Sequence, residues 1–540
     1  MQKTTTPPET FTAEQRRLLG PYFGNVDSPV FVLTNLPEVV KGALFARYSR
    51  SAKTVRRLFL DEFVDQVQTH ATQDAVGLER ADRLFTRVFS QYGDDSVAQL
   101  GGAHIACEGV SNVLTKVLER GRLMSYLEQS TRYVPYTDRP DGRWKYAVPD
   151  ELTSADQSLL STFTDTLDRA FETYARWIEP VQTHFSSLYP KSANDSDGVY
   201  RSAIRAKALD ALRGLLPAAT RSNVGLYGSG QAYEALLLRM RASDLSEARD
   251  TAALMLPELR KVIPAFLVRV DRPDRGGRWS RYFAETRSTT QRLTRETVGE
   301  VEPVSKSEVT LTDFDPEGEI KVVAAALYAG SRLPEDRLLE IARAMTTEDR
   351  VRVLRTYVGD RANRRHRPGR AFERTTYCFD ILSDYGAFRD LQRHRMLSID
   401  WQLLGPHEGY SAPAAIAEVG AIAEWRQVME ESAHLHRALE AATSPLVAQY
   451  AVSMAYRIRF YMHMNAREAM HVIELRTAPQ GHPAYRRVCQ TMHRLIGEQA
   501  GHHAIADAMT FADHSDVELE RLESERASER RGQQGLTSSE

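Results

Sequence analysis

Two short stretches of the chain place a serine after a pair of arginines at the same spacing. Residues 118–136 read LERGRLMSYLEQSTRYVPY, and residues 391–404 read LQRHRMLSIDWQLL. Each contains Arg-x-Arg followed by a serine three residues after the second arginine. Arginine carries a planar fork of donors and keeps its charge near neutral pH, so both pairs suit a phosphate group or a charged ring. The first arginines, Arg120 and Arg393, lie 273 positions apart in a chain of 540 residues, which indicates an internal duplication.

The physical reading of these stretches leaves alternatives open. The sequence Arg-His-Arg by itself is also typical of a solvated basic turn or a structural ion-pair cluster. The first stretch is richer, because seven side chains that can form hydrogen bonds occur within fourteen residues: Arg120, Arg122, Ser125, Glu128, Ser130, Arg132 and Tyr133. Such a segment can hold a nucleotide, with arginine and serine on the phosphate and a carboxylate on a sugar or base edge. The alternative is a segment that only caps helices and forms turns.

Composition limits the classes of partner. The 42% hydrophobic and 26% charged content is typical of a globular protein, and 70 basic residues nearly balance 72 acidic ones. We therefore expect no nucleic-acid or anionic-membrane partner, because there is no overall field to attract one. Three scattered cysteines and the lack of a long apolar run predict a cytoplasmic protein without disulfides or a membrane span.

The order of elements along the chain predicts two domains of the same kind. We expect a disordered tail at 1–15, a first domain at 16–285, a second at 286–518 and a disordered tail at 519–540. The boundary is set by the Gly/Pro/charge-rich passage at 270–288, which interrupts the helical pattern.

Each half begins with a β-rich run and a helix and ends with a long helix. The first pair of elements is predicted at 30–51 and 309–332, and the late helices are GQAYEALLLRMR, ending at Arg241, and NAREAMHVIELR, ending at Arg476. Residues 186–201 are predicted to form a surface loop inserted in the first half.

Other reactive side chains give weaker signals. The contexts of Cys107, Cys378 and Cys489 are those of buried thiols, so no cysteine nucleophile is expected. We predict no metal site, because no carboxylate shares the spacing of the histidines around the second late helix. The basic stretch 361–373 is either an exposed loop or a contact for a phosphate or a folate glutamate tail.

The motifs together resemble one enzyme family. RGRLMSYLEQSTRY, which begins at Arg120, closely resembles the signature of the flavin-dependent thymidylate synthases: Arg-His-Arg, seven residues, Ser, and then Arg-Tyr. RHRMLS, which begins at Arg393, matches the start of that signature, and NAREAMHVIELR resembles the family's later helix. QYGDDSVAQL, residues 91–100, is similar to the family's Gly-His-x-Ser-x-x-Glu-His segment and keeps Gly93 and Ser96.

The resemblance implies that the halves are complementary. The first half lacks the signature histidine and has Gly230 near the position of the helix asparagine, whereas the second has Trp401, Leu403 and Gly405 where Glu, Ser and Arg belong. The implied nucleotide-binding residues are Arg120, Glu128, Ser130, Arg132 and Arg213. The implied flavin-binding residues are Ser331, Arg393, His394, Arg395, Asn465, Arg467 and His471. The implied catalytic residues, which would stabilise negative charge on a uracil ring, are Arg476 and Arg241; each could instead be a structural arginine at a helix end.

The resemblance also implies a fold, a reaction and an assembly. The expected fold is α+β, in two tandem copies of a domain with a mixed sheet and long helices. The expected reaction is reductive methylation of dUMP, or a similar pyrimidine nucleotide, to dTMP, with FAD as cofactor and with NADPH and methylenetetrahydrofolate as co-substrates. The family is homotetrameric, which implies a homodimer that forms a pseudo-tetramer. Two alternatives remain: a non-catalytic homologue that binds flavin or nucleotide, and a related one-carbon transferase acting on another pyrimidine nucleotide.

Overall fold

The computed structural model describes residues 10–27, 31–48, 53–64, 99–153, 157–299 and 306–537. The chain forms two compact units. The first consists of Met1–Glu108, Leu123–Glu128 and Asn223–Glu300, and the second of Gly109–Arg122, Gln129–Ser222 and Val301–Glu540. The units do not follow the predicted boundary at 285/286, because residues 129–222 group with the second half of the chain.

In the described part of the chain, seven strands form two antiparallel sheets. The strands are β1 Gly102–Ser111, β2 Met124–Glu128, β3 Arg221–Ser229, β4 Val309–Phe314, β5 Thr376–Asp384, β6 Ser398–Trp401 and β7 Arg457–Asn465. One sheet has the order β1-β3-β2 and the other the order β4-β5-β7-β6, so β1, β3 and β2 follow one another in the first as β5, β7 and β6 do in the second. The combination of helices and strands in the predicted fold is therefore confirmed, but the predicted mixed sheet is wrong, because the strands pair antiparallel.

The pairing register is also the same in the two sheets. Ser125 of β2 lies opposite Tyr227 of β3, and Ser398 of β6 lies opposite His463 of β7. Ser125 and Ser398 are the serines of the two arginine-containing stretches. Side chains along β5 and β7 alternate between buried and less buried positions, as expected for strands with one face on a core.

The helices are numbered in chain order among the described residues. The first ten are α1 Ala13–Leu19, α2 Glu38–Tyr48, α3 Val55–Glu62, α4 Asn112–Leu118, α5 Asp150–Thr153, α6 Gln157–Leu188, α7 Asp197–Leu212, α8 Gly230–Arg241, α9 Ser246–Arg260 and α10 Gly276–Val298. The others are α11 Gly318–Tyr328, α12 Glu335–Ala344, α13 Thr347–Val358, α14 Tyr385–Leu391, α15 Ala414–Glu418, α16 Ile422–Ala442, α17 Pro445–Ala448, α18 Ala466–Arg476, α19 Pro483–Glu498, α20 His503–Asp507 and α21 Leu522–Thr537.

Packing of long helices explains why residues 129–222 join the second unit. Helix α6 packs against both α7 and α16. Its apolar residues include Phe163, Phe171 and Tyr174, all fully buried, and Trp425 of α16 is also buried. Burial of these large aromatic side chains stabilises the packing of α6, so residues 129–222 join the second half of the chain.

Several local predictions are confirmed and others are wrong. Strand β4 and helix α11 lie within 309–332 as expected, whereas the run before α2 forms only an isolated bridge between Phe23 and Leu33. The predicted loop at 186–201 is shorter, because α6 ends at Leu188 and α7 begins at Asp197.

Two further predictions, the break in helical structure at 270–288 and the disordered tail at 519–540, differ from the structure. The passage at 270–288 is not a linker, since α10 runs through it. Residues 522–537 form α21 rather than a disordered tail, and Arg526 of this helix makes a bidentate ion pair with Asp195. Of the predicted N-terminal tail, residues 1–9 lie outside the described residues, and α1 begins at Ala13 with Thr12 as its cap.

Candidate functional site

The two arginine-containing stretches meet at one cavity in the second compact unit. The cavity has a volume of about 200 Å³. Its lining residues are Glu119, Arg120, Arg122, Gln392, His394, Arg395, Leu397, Ser398, Ile399, Asp400 and Tyr461. Residues that lie 273 positions apart in sequence therefore share one surface.

Two short helices hold the stretches in place. Ser111 caps α4 by accepting a hydrogen bond from the backbone of Leu114, and Asp384 caps α14 in the same way. Buried hydrogen bonds then join these helices: the Tyr385 hydroxyl donates to the carbonyl of Asn112 at 3.0 Å, and the Gln392 amide donates to backbone carbonyls at the end of α4. These buried donors are bonded across the two helices, so they hold α4, α14 and the cavity wall together.

The cationic side chains of the first stretch are accessible. Arg122 donates to the Ser398 hydroxyl at 2.9 Å, and Arg120 pairs with Asp400 at 3.2 Å and lies over the ring of Trp401. The side chains of Arg120 and Asp400 are 47% and 52% exposed, so their pair is weak and an anionic ligand can replace it.

His394 is held as a neutral acceptor. Its Nε2 accepts a hydrogen bond from Nε of Arg476 at 2.8 Å, which places the imidazole proton on Nδ1. Burial, reinforced by Arg476, lowers the pKa of His394 well below its ordinary value. Nδ1 faces the carboxylate of Glu468 at 3.8 Å.

Asp390 gathers three arginines around it. Its carboxylate pairs with Arg393, lies 3.6 Å from Nη1 of Arg476 and lies 3.7 Å from Nη1 of Arg213. Burial on its own raises the pKa of Asp390, but the guanidinium groups of Arg393, Arg476 and Arg213 lower it overall. The carboxylate is therefore ionised and orients the arginines.

Arg213 has a donor to spare. It is 4% exposed, and its Nη2 is buried without a hydrogen-bond acceptor among the described residues. The absence of a side chain at Gly386 makes room for it, because a Cβ there would lie 2.9 Å from Nε and Nη2 of Arg213. An unsatisfied buried donor of this kind is costly unless a ligand or water completes it.

Arg132 joins the same cluster but is fully engaged. Its Nε and Nη2 donate to the carboxylate of Asp210 at 2.8 and 2.6 Å, and its Nη1 donates to the carbonyl of Gln480 and the hydroxyl of Tyr485. Arg132 is 8% exposed. All three guanidinium nitrogens thus donate within the protein, an arrangement that orients α7 and α19 and does not present Arg132 to a phosphate.

A second group of charges surrounds the start of α18. Asn465 caps this helix by accepting from the backbone of Glu468, Arg467 donates to the carbonyl of Pro368, and Arg367 donates to Nδ1 of His471 at 2.9 Å. Burial raises the pKa of Glu468 to about 7, and burial together with Arg367 lowers the pKa of His471 to about 4.

His394, Glu468 and His471 have ligand atoms within 4.8 Å of one another, a grouping that the sequence did not reveal. Each imidazole already accepts a hydrogen bond from an arginine, Arg476 for His394 and Arg367 for His471. A neutral imidazole accepts at only one of its two ring nitrogens. In each of these rings an arginine already occupies that nitrogen, so no acceptor nitrogen is left for a metal ion. The arrangement therefore favours an anionic or polar ligand over a cation.

The basic stretch 361–373 packs against this helix and is not simply an exposed loop. Arg361 makes a buried bidentate pair with Glu474 at 2.6 Å, with side-chain exposures of 3% and 1%. Arg367 reaches His471, as described above. The stretch thus positions α18.

The remaining predicted residues belong to the first compact unit, make local hydrogen bonds or lie outside the described residues. Glu128 and Arg241 belong to the first compact unit. Ser130 accepts a hydrogen bond from the backbone of Arg132, and Ser331 makes local hydrogen bonds with Tyr328 and Leu333. Residues 91–98, which carry Gly93 and Ser96, lie outside the described residues.

Two smaller expectations can be checked. Ser229 caps α8 as Asn465 caps α18, so Ser229, and not Gly230, occupies the place of the helix asparagine. All three cysteines are free thiols, and burial raises the pKa of Cys107 to about 11 and that of Cys489 to about 12. Neither buried thiol has the electropositive, exposed setting of a nucleophile.

Sequence reasoning missed the acidic partners of the cluster. Asp210 lies 78 positions after Arg132, and nothing in the sequence pairs them. Asp390 precedes Arg393 by three positions at the end of a short helix, a spacing that predicts an ion pair and was the available signal. Among the described residues, no helix has the length and apolar content needed to cross a membrane.

The sequence of the chain is similar to the sequences of known proteins. The sequence profile of the family described as thymidylate synthase complementing protein matches residues 42–265 and 310–500. A UPF0159 protein of Chlamydia muridarum is 40% identical over 524 residues, covering 95% of this chain and 98% of that protein. A flavin-dependent thymidylate synthase of Clostridium tetani is 26% identical over 182 residues, covering 33% of this chain and 67% of that protein.

A solved structure was also compared. The UMP/dUMP methylase PolB from Streptomyces cacaoi, bound with 5-Br dUMP, aligns with 18% identity and a TM-score of 0.30 over 38% of this chain and 97% of that chain. The family match spans most of the present chain, in two segments, and a relative of nearly the same length shares 40% of its residues. The chain therefore belongs to the thymidylate synthase complementing protein family.

Proposed function

We propose that this chain binds FAD and a pyrimidine nucleotide in its second compact unit and catalyses the reductive methylation of dUMP or a close analogue. Methylenetetrahydrofolate would be the carbon donor and NADPH the reductant that recharges the flavin. The proposal rests on membership of the family and on the arrangement of the cluster around His394. When bound, the flavin would supply the hydride, while the protein supplies binding, orientation and electrostatics.

The observation that carries the proposal is the cavity shared by Arg120, which we assign to the nucleotide, and His394, which we assign to the flavin, together with the contacts that link His394 to the positioning residue Arg132. Arg132 donates to the hydroxyl of Tyr485, Arg476 lies over the Tyr485 ring, and Arg476 donates to His394. His394 in turn lines the cavity that holds Arg120. A site that must bring a flavin to a nucleotide needs such proximity.

The charge and hydrogen bonding of the cluster fit these ligands. Arg120 and Arg395 are exposed at the cavity, which suits the phosphate groups of either ligand. Nη2 of Arg213 needs an acceptor, and a phosphate or carbonyl oxygen supplies one. Arg467, in the first turn of α18, would help to hold the flavin.

Arg476 is the residue that we assign to charge stabilisation on the uracil ring. Asp390 and His394 hold its guanidinium group, whose Nη2 donates to the Asp390 carbonyl at 2.5 Å. A fixed cation costs little reorganisation when negative charge develops on a substrate. Arg132 is better assigned to positioning, because it is paired with Asp210.

We also propose that the halves are tandem copies and that two chains complete the site as a homodimer. The shared strand order and the register of Ser125 and Ser398 support duplication. A cavity of about 200 Å³ holds one ring or phosphate group rather than a whole dinucleotide, since sites for larger ligands usually span about 300–1,000 Å³. Light scattering should therefore give twice the chain mass, and a stable monomer that still binds FAD fully would contradict the shared site.

Matched variants in the cavity test the assignment of ligands. Arg395→Ala should weaken FAD binding by about tenfold or more, because a charge-assisted hydrogen bond is lost. Arg122→Ala, which removes an exposed arginine from the same cavity, should leave FAD binding intact. Absorbance titration with FAD measures both, and loss of FAD in Arg122→Ala alone would show that the assignment is reversed.

One observation favours a second function. Because Arg132 is buried and paired, the residue expected to hold the nucleotide phosphate is engaged elsewhere. A homologue that binds flavin without catalysis would share this feature. Calorimetry with dUMP separates the two: binding supports the enzyme, and FAD binding without any dUMP binding supports the non-catalytic homologue.

A further inference from the structure

A larger groove lies in the first compact unit. Its volume is about 750 Å³, within the range of small-molecule sites. Its lining residues are Glu234, Ala265, Phe266, Val268, Arg269, Arg272, Asp274, Arg275, Gly276, Arg278, Trp279, Arg281, Tyr282 and Glu285. Most of them fall between the two segments that match the family profile, 42–265 and 310–500, so the groove is built mainly from chain outside the family's matched regions.

The floor of the groove is organised by an ion pair whose carboxylate is buried and whose arginine is partly exposed. Glu234 is 5% exposed and accepts hydrogen bonds from Nε and Nη2 of Arg269 at 2.6 and 2.8 Å. The Arg269 guanidinium group lies 5.7 Å from the ring centre of Trp279. The indole is thus placed by a cation that is itself held in a fixed orientation.

The wall that leads into α10 is also fixed. Arg260 makes a bidentate pair with Asp271 and donates to the carbonyl of Leu267. Helix α10 starts tightly against this wall, because a Cβ at Gly276 would lie 2.0 Å from the carbonyl oxygen of Val270. The groove therefore has a built shape and is not a gap between loose loops.

Charge in the groove is predominantly positive. Five arginines and three carboxylates line it. Arg269 is neutralised by Glu234, and Asp274 lies near both Arg272 and Arg275, at 3.4 and 3.6 Å. The next two arginines along the wall, Arg278 and Arg281, make no ion pair with any residue in the described part of the chain.

Flat aromatic surface lies beside these cations. Trp279 is 48% exposed and Tyr282 is 62% exposed. On a helix, positions three and four apart share a face, so Arg278, Arg281 and Tyr282 project from one side of α10. An aromatic platform next to guanidinium groups recognises a base joined to phosphates.

We propose that this groove is a binding site for a nucleoside triphosphate. The base would stack on Trp279 and Tyr282, and the phosphates would pair with Arg278 and Arg281. Such a ligand matches the volume, the aromatic surface and the unpaired positive charge together, whereas an inorganic anion would use only the charge. The site does not depend on the function proposed for the second compact unit.

The test is titration with ATP, followed by tryptophan fluorescence and calorimetry. ATP should quench the fluorescence of the wild type, and the double variant Arg278→Ala/Arg281→Ala should bind ATP at least about tenfold more weakly, because charge-assisted bonds are lost. Arg295→Ala, near the end of the same helix, is the matched control and should bind ATP normally. Circular dichroism confirms that the variants remain folded, which is expected because α10 is largely exposed.

Three further comparisons decide the outcome. Arg395→Ala should keep ATP binding, which separates this groove from the FAD site; loss of ATP in Arg395→Ala but not in the double variant would overturn the proposal. Trp279→Leu should weaken ATP binding but leave tripolyphosphate binding unchanged. Equal affinity of the wild type for tripolyphosphate and ATP, or tighter binding of a single-stranded oligonucleotide than of ATP, would refute a nucleoside triphosphate site.

Discussion

The buried ion pair between Arg132 and Asp210 predicts that Arg132→Ala destabilises the second compact unit strongly. The pair is bidentate at 2.8 and 2.6 Å, and its side chains are only 10% and 8% exposed. Removal of the arginine leaves a buried carboxylate without a partner, which costs about 3–5 kcal/mol. Tyr485 and the Gln480 carbonyl lose a donor as well.

A matched variant controls for the loss of an arginine as such. Arg139 pairs with Glu172 at 3.3 Å, but these side chains are 46% and 49% exposed. Arg139 also lies over the Trp144 ring, so Arg139→Ala should cost about 1–2 kcal/mol, well below the cost of Arg132→Ala. Urea unfolding followed by circular dichroism gives the midpoints; the first transition of each variant is compared, since two compact units need not unfold together.

The pH dependence gives the prediction a second observable. In the wild type, burial on its own raises the pKa of Asp210, but Arg132 lowers it overall. The pair therefore contributes its full stabilisation of the folded state above the unfolded pKa of about 3.9, and this stabilisation is lost as pH falls through the lower pKa of the folded state. In Arg132→Ala, the largest influence that lowers this pKa is gone; burial then acts against the weaker effects of His482 and Arg213, and we expect the pKa of the Asp210 carboxyl to rise. Protonation then stabilises the variant as pH falls, so the gap in stability should narrow between about pH 7 and pH 4. If Arg132→Ala shifts the midpoint no more than Arg139→Ala at neutral pH, the pair is not the support described here.

Three other predictions follow from the same geometry. Gly386→Ala should destabilise the fold by about 1–3 kcal/mol, because the new Cβ would lie 2.9 Å from the Arg213 guanidinium group. Gly225→Ala is the control and should cost less, because the nearest neighbour of its Cβ would lie at 3.9 Å. Urea unfolding midpoints measure both changes. Glu468→Gln should gain stability relative to the wild type as pH rises from about 5 to about 8. Burial raises the folded pKa of this carboxyl to about 7, so the wild type loses stability as pH rises from the unfolded pKa through that value, and an unchanged difference in unfolding midpoint would contradict this. Cys489 should react with iodoacetamide only as fast as the protein unfolds, because burial raises its pKa to about 12, and fast labelling of the folded protein would disprove its burial.

The elements that the sequence predicted best are those with strong local signals. Helices α8 and α18 have clear apolar periodicity and a capping side chain at the start, Ser229 and Asn465, so both appear where expected. The sequence predicts a break in helical structure where α10 starts, because a pair of glycines such as Gly276 and Gly277 is typical of a turn or loop. Here they form its first turn, where the lack of a side chain permits close contact with the backbone of residues 269–272.

Part of the candidate site was predicted, because most of its residues lie in the motifs that carry the family resemblance. The resemblance brought Arg213, Arg393, His394 and Arg476 together, and the structure places all four around Asp390 or beside it. Their role toward ligands remains a proposal. The engagement of Arg132 could not be predicted, because its partner comes from a helix far along the chain and only the fold brings the two together.

Helix α21, at the C-terminal end, could also not be predicted from local sequence. Its composition, rich in charge and poor in large apolar groups, is typical of disorder. In the fold, however, Arg526 pairs with Asp195, and Glu520 just before the helix pairs with Lys207. Long-range ion pairs of this kind leave no periodic signal in the sequence.

The most direct test of the proposed function is formation of dTMP. Purified protein is incubated with dUMP, FAD, NADPH and methylenetetrahydrofolate, and the nucleotides are analysed by mass spectrometry, with His394→Ala as the matched variant. We expect the wild type to yield a nucleotide with a methyl group in place of a ring hydrogen, and His394→Ala to yield far less because the residue that Arg476 holds beside the cavity is gone. A wild type that binds neither FAD nor dUMP, and forms no methylated nucleotide, would contradict the account.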